Sequence, residues 1–121
     1  MSLVFLQQVE GRAVHIQLEK HVEKGVVKWA KENGWLAWKL WGFNQVGLPD
    51  RMFIHRWPVL VFMEFKRPGG RMGPLQDRIR IELVARGFLC YTVSTENHGI
   101  QHLKSALDPS GISKDSNPMA D

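Results

Sequence analysis

The stretch VLVFMEFKR, residues 59–67, sets Glu64 and Lys66 two positions apart at the end of an apolar run. Burying charge in a strand is costly unless something offsets it. Side chains alternate along a strand, so Glu64 and Lys66 share one face, with Leu60 and Phe62 behind them. Asp50 stands where the loop GFNQVGLPD, residues 42–50, enters the segment RMFIHR, residues 51–56. If that segment pairs antiparallel with 59–67 about Trp57-Pro58, Asp50 lies at the same end as Glu64 and Lys66. Two carboxylates and an ammonium then converge at a sheet edge beside the basic, glycine-rich loop PGGRMG. Hard divalent cations such as Mg²⁺ take oxygen ligands and keep several waters, so converging carboxylates suit one. Such an ion would activate a water and offset phosphate charge, with Lys66 stabilising a crowded transition state or orienting the water. For Glu64 and Lys66 taken alone, a plain salt bridge at the strand end is the competing account.

The elements that must position these residues follow from periodicity. From about His15 to Asn33 the pattern is helical, with Leu18, Val22, Val26 and Trp29 as its stripe and Gly34 as its stop. Residues 35–41, 51–56 and 59–67 read as strands. The last is apolar on both faces for five residues, which suits a central position. Pro74 opens a second helix, with Leu75, Ile79 and Leu83 as its buried stripe, and Gly87 closes it. Residues 88–94 form a further strand and about 96–107 a last helix. The order is that of an α/β fold, a mixed central sheet flanked by helices. Residues 1–107 form one domain; 108–121 carry too little apolar surface to pack and are expected to be a flexible tail.

Composition sets outer bounds. The 121 residues are 44% hydrophobic and 23% charged, as in an ordinary globular domain. No apolar stretch approaches the ~18 residues of a membrane span. The opening MSLVFLQQVEGR lacks the marks of a signal peptide. A single cysteine, Cys90, fits a reducing compartment, so a cytoplasmic location, in a bacterial cell or a phage-infected host, is expected. The net charge is +4, and residues 50–80 hold seven basic side chains against three acidic ones. That local excess suits a polyanionic partner, of which nucleic acid is the commonest.

The motifs GLPDR (47–51), EFK (64–66) and RPGGRMGPLQ (67–76) together resemble the VRR-NUC branch of the PD-(D/E)XK nuclease superfamily. Gly47, Pro49, Asp50 and Arg51 match its first motif, Glu64 and Lys66 its second, and Gln76 its helix-opening glutamine. Glu19, fifteen residues before Gly34, matches its early helix glutamate. The likeness covers about residues 15–105. It implies a Mg²⁺- or Mn²⁺-dependent phosphodiesterase acting on DNA, with Asp50 and Glu64 as metal ligands and the Phe65 carbonyl as a further contact. Lys66 would be the catalytic lysine, and Gln76 would position it or the DNA backbone. Arg51, Arg67, Arg71 and Arg78 are the expected DNA contacts. Stand-alone members of this size resemble Holliday-junction resolvases, two-fold homodimers that cut paired strands of branched DNA.

For the helix carboxylate, the expected apolar stripe centres near Leu18 and Val22; Glu19 lies about 65° from that centre and Glu23 about 105°. Glu19 is therefore preferred, as a catalytic residue and metal ligand, with Glu23 the alternative. His98 and His102 have the spacing of metal ligands, but without the glutamate of H-E-x-x-H they read as surface histidines. Trp29, Trp35 and Trp38 read as core, Trp41 or Trp57 as wedges against bases or as dimer contacts, His55 as an exposed loop residue and Cys90 as a packed hydrophobe. Three alternatives to a junction-resolving enzyme remain: a flap nuclease, a sequence-specific nicking nuclease, and a non-catalytic DNA-binding module.

Overall fold

The computed structural model describes residues 3–40 and 46–108, with side chains from Leu18 onward in the first helix. Three helices and four strands follow in the order α1 (Leu3–Glu32), β1 (Leu36–Lys39), β2 (Arg51–Arg56), β3 (Val59–Phe65), α2 (Pro74–Ala85), β4 (Leu89–Val93) and α3 (Glu96–Leu107). The strands lie side by side as β1-β2-β3-β4. The first two pairings are antiparallel and the third parallel, so the sheet is mixed, as the element order implies. The parallel step is made by α2 as the crossover.

The ladder determines which residues share a face. Ala37 pairs with Phe53, Phe53 with Val61, and Met63 with Tyr91. These residues, with Phe65 and Val93, are buried against Val26, Val27 and Ala30 of α1 and Leu103 and Ala106 of α3. Helices α1 and α3 therefore cover one face of the sheet. Thr95 caps α3, its hydroxyl oxygen accepting from the His98 amide at 3.2 Å. The Trp57-Pro58 peptide at the hairpin tip is cis.

Four expectations need correction. Helix α1 starts at Leu3, not near His15, because nothing before His15 breaks it. Gly11 is the one poor helix former in a run free of proline, and costs only about 1 kcal/mol. Its buried stripe runs through Val26, Val27 and Ala30, with Leu18 53% exposed. Trp38 is not core but 52% exposed: β1 is an edge strand, and Leu36 and Trp38 project from the face that α1 and α3 do not cover. Trp35 is buried, and Trp29 is half-buried with the Lys104 ammonium 5.8 Å from its ring. Finally, α2 buries no residue fully, and Leu75 is 42% exposed. Trp41 and the tail beyond Asp108 lie outside the described residues. None of the described helices is long and apolar enough to cross a membrane.

The contrast between the two faces is measurable. Phe53→Ala, at a site with no exposure, should cost about 3–5 kcal/mol, whereas Trp38→Ala should cost less than about 1 kcal/mol. Chemical denaturation of both variants checks this.

Candidate active site

Strand register brings the site together. Arg51 pairs with Met63, so one step further back Asp50 stands across from Glu64. Its Oδ2 accepts the Phe65 amide at 2.7 Å, which ties the loop to the end of the central strand. The loop reaches that position through Gly47, whose φ of +92° lies in the left-handed region. A Cβ there would stand 3.0 Å from the Leu75 carbonyl oxygen, so the glycine also lets the loop lie against the start of α2. On the other side of Glu64, the segment 67–70 forms a type II turn. Pro68 occupies its second position, Gly69 its third at φ +77°, and the Gly70 amide donates to the Arg67 carbonyl at 2.8 Å.

Glu64 is the buried charged residue of the described chain, with 4% exposure. Its Oε2 accepts from Gln76 Nε2 at 2.6 Å and pairs with Lys66 Nζ at 3.3 Å. Gln76 sits in the first turn of α2, where its Oε1 accepts the Gly73 amide at 3.0 Å. That bond assigns the amide's orientation and leaves the NH₂ group to face Glu64. The second oxygen, Oε1 of Glu64, is buried with no hydrogen-bond partner. A bare buried carboxylate oxygen costs about 1–3 kcal/mol or more. Desolvation, and then the neighbouring Asp50, push the Glu64 carboxyl up to about 7, against the opposing pull of Lys66 and, more weakly, of the Asp50 main chain. Asp50 is also raised, by burial first and by Glu23 and Glu19 as well, although the Phe65 amide and Lys66 pull it back.

Helix α1 contributes two more carboxylates. Glu19 accepts the Arg67 amide at 3.0 Å, just past the end of β3. Glu23 instead pairs with Arg51, Nε to Oε2 at 2.7 Å, and Arg51 also donates to the Ala37 carbonyl at 3.4 Å. Arg51 therefore holds α1 against β1 and β2, on the face of the sheet opposite Asp50. The cause is strand alternation: the residue after Asp50 points to the opposite face. Arg67, Arg71 and Arg78 are exposed around the site. Among the described residues no three His, Cys, Asp or Glu side chains gather closely enough to hold a metal ion by themselves. The carboxylates available at one point are Asp50 and Glu64, with the Phe65 backbone adjoining.

The remaining singled-out residues lie elsewhere. His98 is exposed, whereas His102 stacks on Tyr91 with ring centroids 3.8 Å apart. His55 is not a loop residue but lies within β2, edge-on to Trp35 at 5.1 Å. Cys90 is buried, and burial raises its thiol to about 11. The sequence reading missed the Glu23–Arg51 pair, because charges 28 positions apart carry no local signal. The contact from Gln76 to Gly73 was foreshadowed by a glutamine three residues after a helix cap.

Fold and site together define a class: two carboxylates, an amine and an amide at the end of the central strand of a mixed sheet. No protein-family model and no curated protein matches the chain. Among solved structures, the chain is similar to one described as a "VRR_NUC domain", with 24% identity and a TM-score of 0.65. The match covers 72% of this chain and 95% of that one. The chain thus adopts the VRR_NUC fold that its motifs resemble.

Two measurements probe this geometry. A carboxyl whose folded pKa stands above its unfolded value stabilises the fold fully below that unfolded value and ceases to do so as pH rises through the folded one. For Glu64 the window runs from 4.5 to about 7. In chelator, thermal stability should fall between about pH 4.5 and about pH 7 by on the order of 3 kcal/mol, and Glu64→Gln should remove most of that slope. Gly47→Ala should cost at least about 1–2 kcal/mol from its left-handed backbone alone, read as a lowered melting temperature.

Proposed function

We propose that this chain is a metal-dependent endonuclease that hydrolyses phosphodiester bonds in branched DNA, of the Holliday-junction-resolving kind. The observation that carries the reading is the bare, buried Oε1 of Glu64 beside Asp50. A salt bridge to Lys66 needs only one oxygen of the carboxylate, and Oε2 already serves it. An unpaired anionic oxygen fits a position meant for a cation. Asp50, Glu64 and the Phe65 carbonyl would hold Mg²⁺ or Mn²⁺, with Glu19 at the margin of the site. When bound, the ion would lower the pKa of a water and offset charge on the scissile phosphate.

The chain's own groups have separate tasks. Gln76, anchored on Gly73, fixes the Glu64 carboxylate so that Oε1 keeps its direction. Asp50 is held by the Phe65 amide, which limits the reorganisation needed when substrate arrives. Lys66, partly exposed beside Glu64, would stabilise the negative charge that develops on the phosphate oxygens or orient the attacking water. Arg67, Arg71 and Arg78 give phosphate contacts that position the backbone. The motif resemblance and the shared fold support DNA as the substrate. Paired cuts on a junction call for two sites at fixed separation, hence a homodimer. Leu36 and Trp38, beside Ile54 and Met52 on the sheet face that α1 and α3 leave bare, offer apolar surface for it.

Two readouts test this. With a four-way junction and Mg²⁺ the protein should make paired nicks, and Lys66→Ala should slow them by about 10²–10³-fold with binding retained. Independently of activity, Mn²⁺ at about a hundred times its Kd should stabilise the protein by about 2.7 kcal/mol, and Glu64→Gln should lose that gain. Intact junctions with every divalent ion tried would reject the proposal.

A further inference from the structure

The outer side of α1 has no role in the site described above. Lys20, Lys24 and Lys28 follow one another at four-residue intervals and Lys31 continues the row. All four are exposed. At about 100° per residue they form a flank of the helix centred roughly 110° from the buried stripe of Val26, Val27 and Ala30. Among the described residues none of the four side chains forms an ion pair or hydrogen bond. The nearby carboxylates are turned away and occupied, Glu23 by Arg51 and Glu19 by the Arg67 amide. Glu32, one turn after Lys28, is exposed but forms no ion pair. Like charges at four-residue spacing destabilise a helix, so an unneutralised lysine row carries a standing repulsion that a polyanion would relieve.

The row's position is as informative as its charge. Lys20 directly follows Glu19, whose carboxylate touches the backbone at Arg67, so the row begins at the wall of the active site. It ends near Gly34, whose Cβ position lies 3.2 Å from His55 of β2. Eleven residues of helix span about 16 Å, close to half of the ~34 Å turn of B-DNA. We infer that the Lys20, Lys24, Lys28 and Lys31 ridge of α1 is a second phosphate-tracking surface, which holds a duplex arm leading away from the cut. The inference rests on the proposed DNA substrate and adds a site distinct from Arg67, Arg71 and Arg78. Lysines in a row, as mobile point charges on a regular spacing, suit backbone contact without base readout.

The test is the triple variant Lys20→Gln, Lys24→Gln, Lys28→Gln, which keeps helix propensity and removes charge. Binding to a four-way junction is measured against salt concentration, together with the cleavage rate at saturating DNA. Three phosphate contacts contribute a slope of about 2.7 in log K against log salt, so the variant should lose that much. Its KM should rise at least tenfold near physiological salt while kcat stays unchanged. On junctions trimmed to short arms, wild type and variant should bind alike. An unchanged slope in a variant with wild-type thermal stability, while the wild type still cuts junctions, overturns the ridge and leaves the nuclease reading standing. Absence of any DNA binding by the wild type overturns both. Binding of the ridge to phosphatidylserine vesicles in preference to DNA overturns it in favour of a membrane surface.

Discussion

A carboxylate taken out of water has to be answered by its surroundings, and in this protein much of the local architecture is such an answer to Glu64. One oxygen receives an amide and an ammonium, while the other is buried without a hydrogen-bond partner. The charge is tolerable because three different segments meet at the end of β3. The loop before β2 brings Asp50, the start of α2 brings Gln76, and β3 itself brings Lys66. Each is held by a backbone bond of its own or by the ladder. The unmatched oxygen leaves an energetic tension that the proposed cation would relieve.

That tension also explains why the neighbouring acids are not equivalent. Asp50 and Glu64 lie on the face of the sheet that meets α2; Asp50 adds to the cost of ionising Glu64, while burial and then Glu23 and Glu19 raise that of Asp50. Glu23 lies on the α1 side and is neutralised by Arg51, which has turned to that side by strand alternation. Glu19 occupies the boundary, where the strand has ended and its carboxylate can meet the main chain at Arg67. The sheet therefore sorts four carboxylates by face and by distance along β3 before any ligand arrives.

Much of this could be read from residue order. The bounds of β2 and α3 and the pairing of the hairpin followed from alternation and turn residues, and hairpin arithmetic alone put Asp50 beside Glu64. The mixed sheet followed from the order of elements. What escaped was anything that depends on whether a face is covered. Leu18, Trp38 and the stripe of α2 have the right spacing for burial, but periodicity cannot say that a neighbouring element is there to bury them. Arg51 was assigned to DNA because of its motif, although strand alternation would have put it on the face away from Asp50. His55 read as an exposed loop residue from its nearness to Trp57-Pro58, whereas it lies within β2 beside an irregularity between Ile54 and Arg56.

Helix α1 presents two sides that cannot be exchanged. Its sheet-facing side packs through Val26 and Ala30 and, two turns earlier, delivers Glu19 and Glu23 at the same helical phase, while the flank beside it carries lysines into solvent. Each residue added to or removed from the helix between Glu19 and Ala30 would rotate everything beyond it by about 100°. A single-codon insertion there would move acids off their amide and guanidinium partners while carrying an ammonium toward the core. Length changes in this protein should therefore be confined to its loops, and α1 should behave as a segment whose residue count is invariant even where its exposed residue types drift.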